Sequence, residues 1–348
     1  MTAPTEIYIN AFTRLSLDGV RLGEMQVANP RLTYPLADAA SVIPEIDIAV
    51  RLVAEQPFAR SVFDSPETGY FERGGGFYYR NCNFANAMHE PDVFYMGRLP
   101  NSFGRVRIEC FEPLRIVFTV TKTFVWESRS RLTRFSSIDE AVNNVALAAA
   151  VLRGYLPFHG AAIEAGPADR RFSLIFMGLP NTGKTSTSVA TRKALGGDYL
   201  AEDICFVRAD TLDVLAGPYT LDETKIQNYD ELRAAKYRGA KLAAIVMLDR
   251  SDAPSSLSTV AAGDASLRDF ILGMNRYEFE WNHDMFVRHL MIGGERGGFT
   301  IPAITNAYFG GLARVADRTP AIRLSGVDPT QWAGLLVAEL AKRGLASR

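Results

Sequence analysis

The octapeptide Gly178-Leu-Pro-Asn-Thr-Gly-Lys-Thr185 sets two glycines, a lysine and a hydroxyl residue in the spacing G-x-x-x-x-G-K-T. Backbone N–H groups of such a loop wrap phosphate oxygens, and the first turn of a following helix adds its dipole. In this arrangement Lys184 reaches the β- and γ-phosphates of a nucleoside triphosphate, and the Thr185 hydroxyl ligates Mg²⁺. The residues assigned to nucleotide binding are Gly178, Pro180, Asn181, Thr182, Gly183, Lys184, Thr185 and Ser186. ATP with Mg²⁺, or with Mn²⁺ in its place, is the expected ligand.

Holding phosphate is not yet phosphoryl transfer, which also needs a metal-positioning carboxylate and a group that orients the nucleophile. Two acidic positions compete for the metal. Glu202 and Asp203 lie 18 and 19 residues after Lys184. A helix of about three turns and a return strand can bring such residues back beside the loop. Asp249 instead ends the apolar run Ala244-Ile-Val-Met-Leu248, the arrangement of an ordinary Walker B carboxylate. His159, in Phe158-His-Gly160, favours the first position. On a strand beside the loop it could bind a metal, contact the γ-phosphate or shuttle a proton.

The elements that must hold these groups are legible as patterns. The apolar run Phe172-Ser-Leu-Ile-Phe-Met177 predicts a buried strand feeding the loop, and a helix is expected from Lys184 to about Leu195, ended by Gly196-Gly197. Pro157 to Glu164 reads as an apolar strand returning through the turn Ala165-Gly-Pro-Ala-Asp-Arg170, so the two strands should be antiparallel. Leu242 to Leu248 is a further strand, and helices are expected at Ser266 to about Met274 and at Thr330 to Lys342, the second packing on a sheet edge. Upstream, residues 1–135 read mainly as β, with runs at Ile7-Tyr-Ile-Asn, Gly76-Phe-Tyr-Tyr, Val106-Arg-Ile-Glu and Leu114 to Thr121. The triple glycine at 74–76 reads as a hairpin turn, and a helix is expected from Ile46 to about Glu55. Ser137 followed by Glu140 has capping-box spacing and opens a helix running to Leu152.

The order Phe158-His-Gly-Ala-Ala, then Phe176-Met-Gly-Leu-Pro-Asn-Thr-Gly-Lys-Thr-Ser-Thr-Ser188, then Gly197-Asp-Tyr-Leu-Ala-Glu-Asp203 resembles the HPr kinase/phosphorylase and phosphoenolpyruvate carboxykinase superfamily. Its members carry a histidine-bearing strand, a loop written G-x-S-G-x-G-K-[ST] and a downstream Asp-Asp pair. The resemblance covers roughly residues 155–210, about a sixth of the chain. It implies an α/β (α+β mixed sheet) core of that type over residues 136–348, preceded by a mainly β region over 1–135 for acceptor or partner recognition. It implies an ATP-dependent kinase moving the γ-phosphate to a hydroxyl of a protein or peptide serine or of a small metabolite. Asp203, His159 and Lys184 become the catalytic residues, and Thr185, Asp203 and Glu202 the metal residues. Two departures stand out: Glu202 replaces the first aspartate, and Pro180-Asn181 replace serine and glycine in the loop. They motivate a second reading, a nucleotide-binding regulatory or assembly protein without transfer activity. A third is a conventional P-loop NTPase using Asp249.

Bulk properties narrow the class. The chain has 348 residues, 22% of them charged, and a formal net charge of −1, which removes the electrostatic case for nucleic acid or an anionic membrane as main partner. No apolar run is long enough to span a bilayer, and the N-terminus lacks the pattern of a secretory signal. Cys82, Cys110 and Cys205 have no metal-type spacing and are expected to be reduced and buried, as in a cytoplasmic protein. A homo-oligomer is compatible with all of this. Arg276, Lys225 and the glycine-rich stretch Gly293 to Gly298 are further positions that could face a phosphate or cover it. The plainer readings are surface residues and a loop.

Overall fold

The computed structural model describes residues 5–8, 12–19, 45–54, 69–73, 76–80, 85–90, 93–97, 104–129, 138–217, 238–278 and 301–346. The chain is a mixed α/β protein divided into two compact units. One is Met1–Leu32 with Ile43–Arg153 and Trp281–Thr305, and the other is Thr33–Val42 with Gly154–Glu280 and Asn306–Arg348. Among the described residues no helix is long and apolar enough to cross a membrane.

The first unit is built on one sheet. Its strands are β1 (Thr5–Tyr8), β2 (Thr13–Asp18), β3 (Ile46–Leu52), β4 (Gly69–Arg73), β5 (Gly76–Arg80), β6 (Ala85–Glu90), β7 (Val93–Gly97), β8 (Gly104–Phe111) and β9 (Leu114–Val120), in the order β1-β2-β3-β9-β8-β7-β6-β5-β4. Helices α1 (Lys122–Arg129) and α2 (Ile138–Leu152) follow, and α2 packs on β3. Arg73 pairs with Gly76, so β4 and β5 are antiparallel neighbours, while Gly74 and Gly75 themselves lie outside the described residues. The helix expected from Ile46 is instead β3, parallel to both β2 and β9. Ile46, Ile48 and Val50 alternate along one buried face, and β-branched residues at period two favour a strand once neighbours exist on both sides. Cys110 is exposed, against the expectation of burial, whereas Cys205 in the second unit is buried. Cys82 lies outside the described residues.

The second unit holds β10 (Tyr155–His159), β11 (Ala161–Ala165), β12 (Phe172–Met177), α3 (Lys184–Leu195), β13 (Gly197–Ala201), β14 (Ile204–Arg208), β15 (Asp213–Ala216), β16 (Arg238–Arg250), β17 (Ser256–Val260), α4 (Ala265–Glu278), α5 (Ile301–Arg318, in this unit from Asn306), β18 (Ala321–Gly326) and α6 (Pro329–Lys342). The strand order is β10-β14-β15-β16-β12-β11-β13, with β18 added to β16 and β17 to β18. The core of the sheet is apolar on both faces: Leu174, Ile175, Phe176, Ile245, Val246, Ile322 and Leu324 are fully buried. Each such side chain contributes about 1.5–3 kcal/mol on leaving water. The turn at 166–171 makes β11 and β12 antiparallel, as expected, while β12, β16 and β18 run parallel. Helix α6 lies on α3 and against β17 and β18 at one edge.

The segment read as one strand, Pro157 to Glu164, is two strands meeting at Gly160. Tyr155 to His159 pair with Arg208 to Ile204. The Gly160 N–H donates to the Asp203 carbonyl at 2.8 Å, and Ala162 pairs with Ala201. Strands β10–β11 and β13–β14 thus form one antiparallel ribbon, bent where Gly160 faces Glu202-Asp203. Its two halves belong to distant places in the strand order, so the sheet curls until they meet.

Candidate functional site

The loop opens where β12 ends at Met177, with Gly178 as its first residue. A methyl group at Gly178 would stand 2.7 Å from the Leu248 carbonyl oxygen, so the neighbouring strand β16 passes directly beside the loop. Asn181 has φ 63° and Gly183 has φ 96°, both left-handed. Asparagine tolerates that region better than other non-glycine residues. Asparagine at 181 therefore keeps the left-handed backbone path of the loop available. Thr182 is buried, and its hydroxyl donates to the Leu179 carbonyl at 2.8 Å, closing the turn. Leu179, Pro180, Asn181 and Ser186 are exposed around the rim.

Helix α3 begins at Lys184, and Gly183 at its N-cap offers no side-chain acceptor to the first-turn N–H groups. Its first turn therefore directs amide dipoles toward the loop. The Lys184 ammonium lies across the loop, donating to the carbonyls of Gly178 at 2.8 Å and Leu179 at 3.3 Å. The Ser188 hydroxyl donates to the Thr185 carbonyl at 3.0 Å and sits 3.4 Å from the Tyr199 hydroxyl of β13. This ties the helix to the strand that leads into the acidic pair.

The bend of the ribbon brings the candidate side chains together and separates their environments. The Thr185 hydroxyl donates to Glu202 Oε1 at 3.3 Å, and Glu202 is 4% exposed. His159 Nε2 is 3.7 Å from Asp203 Oδ1, with the Asp203 side chain 39% exposed. Two adjacent carboxylates therefore face different partners, because neighbouring residues at a strand end point to opposite sides. The Thr185 and Glu202 oxygens suit Mg²⁺. A hydroxyl and a carboxylate are the hard oxygen donors that Mg²⁺ takes, and the ion is commonly held by one or two carboxylates plus phosphate. Among the described residues no group of three or more His, Cys, Asp and Glu side chains could hold a metal unaided.

Asp249 is the last residue but one of β16, in register with Ser325 of β18, and it is exposed. Arg276 is exposed on the last turn of α4. Lys225 and residues 293–298 lie outside the described residues. Opposite Phe158 on β14, burial pushes the Cys205 thiol far up, only partly countered by a backbone hydrogen bond, so it stays neutral. Burial, with a smaller contribution from Cys205, also raises the Tyr308 phenol well above its ordinary value.

One residue near the site was not singled out from the sequence. Asn275 of α4 is fully buried, and its Oδ1 accepts the His159 backbone N–H at 2.8 Å. These positions are 116 residues apart, and no local pattern joins them. Neither the family models nor the curated proteins searched match this chain.

Proposed function

We propose that the protein is an ATP-dependent phosphotransferase of the HPr kinase/carboxykinase type, moving the γ-phosphate to a hydroxyl group. The observation that carries this reading is the double pairing at the ribbon bend, Thr185 with Glu202 and His159 with Asp203. A loop that only hydrolysed or held nucleotide would not need a histidine–carboxylate pair a few residues from its metal ligands.

In this reading the loop amides and the first turn of α3 bind the phosphates, and Lys184 turns from the loop carbonyls to the phosphate oxygens. Thr185 and Glu202 hold Mg²⁺, which when bound neutralises the charge that builds up on the phosphates. Asp203, half in water, faces the acceptor and takes the proton from its hydroxyl as the oxygen bonds to the γ-phosphorus and the bond from that phosphorus to the bridging oxygen breaks, releasing ADP. His159, largely buried behind it, orients Asp203 and stabilises its charge. The buried Glu202 is poorly placed for that exchange because an acceptor cannot reach it as readily.

The test is label transfer from γ-labelled ATP to components of a lysate, with Lys184→Ala as control. Binding of ATP without any transfer would overturn the reading. A conventional NTPase is the second reading, supported by β16 running parallel beside β12 and delivering Asp249 to the loop's end of the sheet. Loss of activity in Asp249→Asn but not in Asp203→Asn would establish it.

A further inference from the structure

We infer that Asn275 is a positioning residue for the His159–Asp203 pair, an inference that rests on the phosphotransferase reading above. Strand β10 is the last strand of its sheet, with only β14 beside it among the described strands. Its outer edge is met by helices. The Tyr308 hydroxyl of α5 donates to the Pro157 carbonyl at 2.8 Å, and Asn275 Oδ1 of α4 accepts the His159 N–H at 2.8 Å. Both side chains are fully buried.

The two contacts are chemically similar but differ in what they control. Tyr308 holds the strand two residues before the histidine. Asn275 holds the peptide that carries the imidazole, and the next N–H, that of Gly160, bonds the Asp203 carbonyl. The chain Asn275 to His159 to Gly160 to Asp203 therefore fixes both partners of the 3.7 Å pair through consecutive peptide groups. Asparagine is suited to this place because it must do two things. While Oδ1 accepts from His159, Nδ2 donates to the Ile271 carbonyl one turn back in α4 at 2.8 Å. Leucine has similar size and does neither, and aspartate keeps the acceptor alone.

A displacement of about 1 Å in a catalytic group costs rate by up to about 10²-fold. An edge-strand hydrogen bond without a catalytic role costs stability alone, and Tyr308→Phe supplies that comparison. The experiment uses the full chain, γ-labelled ATP with Mg²⁺, and dialysed lysate as the acceptor source, with initial rates at varied ATP. Asn275→Leu should lower kcat about tenfold or more, with KM for ATP changed less than about threefold, while Tyr308→Phe keeps kcat within about threefold. Asn275→Asp, which retains the acceptor for His159, should stay well above His159→Gln. Equal losses in Asn275→Leu and Tyr308→Phe, or an unchanged kcat in Asn275→Leu, overturn the inference. If Asn275→Leu does not fold, a rate for Asn275→Asp as low as that of His159→Gln overturns it. Wild-type turnover that Lys184→Ala does not abolish overturns the phosphotransferase reading itself, and the inference with it, which is a different result from equal losses.

Discussion

Replacing Asp203 by asparagine should separate chemistry from stability. The substitution removes a charge and keeps the shape. The bond from Gly160 N–H to the residue's own carbonyl, 2.8 Å long, is unaffected, and an amide oxygen can still face His159 across 3.7 Å. With the side chain 39% exposed, losing the contact of its charge with His159 costs at most about 1 kcal/mol of stability. Losing a general base lowers the rate by about 10²–10⁴-fold, or about 3–5 kcal/mol on the barrier. Glu202→Gln is the counterpart. At 4% exposure and 3.3 Å from Thr185, Glu202 is placed to hold metal. Its loss should raise the Mg²⁺ concentration for half-maximal activity by about tenfold or more, as loss of even an outer metal contact does. The assay is initial rate of label transfer against ATP and against Mg²⁺ for each variant, with thermal midpoints alongside. If Asp203→Asn shifts the Mg²⁺ dependence and Glu202→Gln lowers only the saturated rate, the assigned roles are reversed. If both variants keep full activity, the site is elsewhere.

Cys110 should react with iodoacetamide at pH 8 in the native protein while Cys205 becomes labelled only after unfolding, as peptide mass spectrometry would report; early labelling of Cys205 contradicts its burial. Asn181→Gly should leave ATP binding within about threefold, whereas Asn181→Val forces a β-branched residue into a left-handed position at about 1–2 kcal/mol and should weaken it; equal titration curves for the two would refute the loop argument. The Arg208 hydrogen bond holds the Asp210 carboxyl below the ordinary carboxylate value, so the pair's stabilisation is present above that value and is lost as pH falls through the lower folded one. The pair is largely exposed, so the contribution is at most about 1 kcal/mol; thermal midpoints of wild type and Asp210→Asn should differ near pH 6 and converge near pH 2. Ile245→Ala, at a fully buried place in β16, should destabilise the fold by about 2–5 kcal/mol in urea titration.

What the sequence disclosed and what it concealed divide along physical lines. The strand, loop and helix around Lys184 are specified by neighbours in the chain, and they stand where the pattern puts them. The hairpin of β11 and β12 follows from a turn too short for any parallel crossing. Ile46 to Leu52 is a strand where the local pattern suggests a helix, because its strand character depends on β2 and on β9, which lies more than sixty residues on. Helix α5 carries Thr305, Asn306 and the pair Gly310-Gly311, all weak helix formers, so only tertiary packing accounts for its length. Gly311 lets it approach Leu156 of β10, where a methyl group would meet the side chain at 2.5 Å. The acidic pair was visible by spacing, but its division between Thr185 and His159 depends on the bend at Gly160, which no spacing rule contains.

The bent ribbon also decides where the chain can tolerate a change of length. Residues 155–162 and 201–208 are matched one for one, and the single shift in pairing comes after Ala162. An insertion anywhere between His159 and Ala162, or between Ala201 and Ile204, would turn His159 away from Asp203, because one step along a strand reverses the side it presents. The exposed turn at Pro167 to Arg170 has no such constraint, and a graft or tag placed there would lengthen the hairpin without moving either partner. Natural variation in length should therefore collect in that turn and be missing from the bend, and an engineered insertion library scored for folded protein and for label transfer would trace the same boundary.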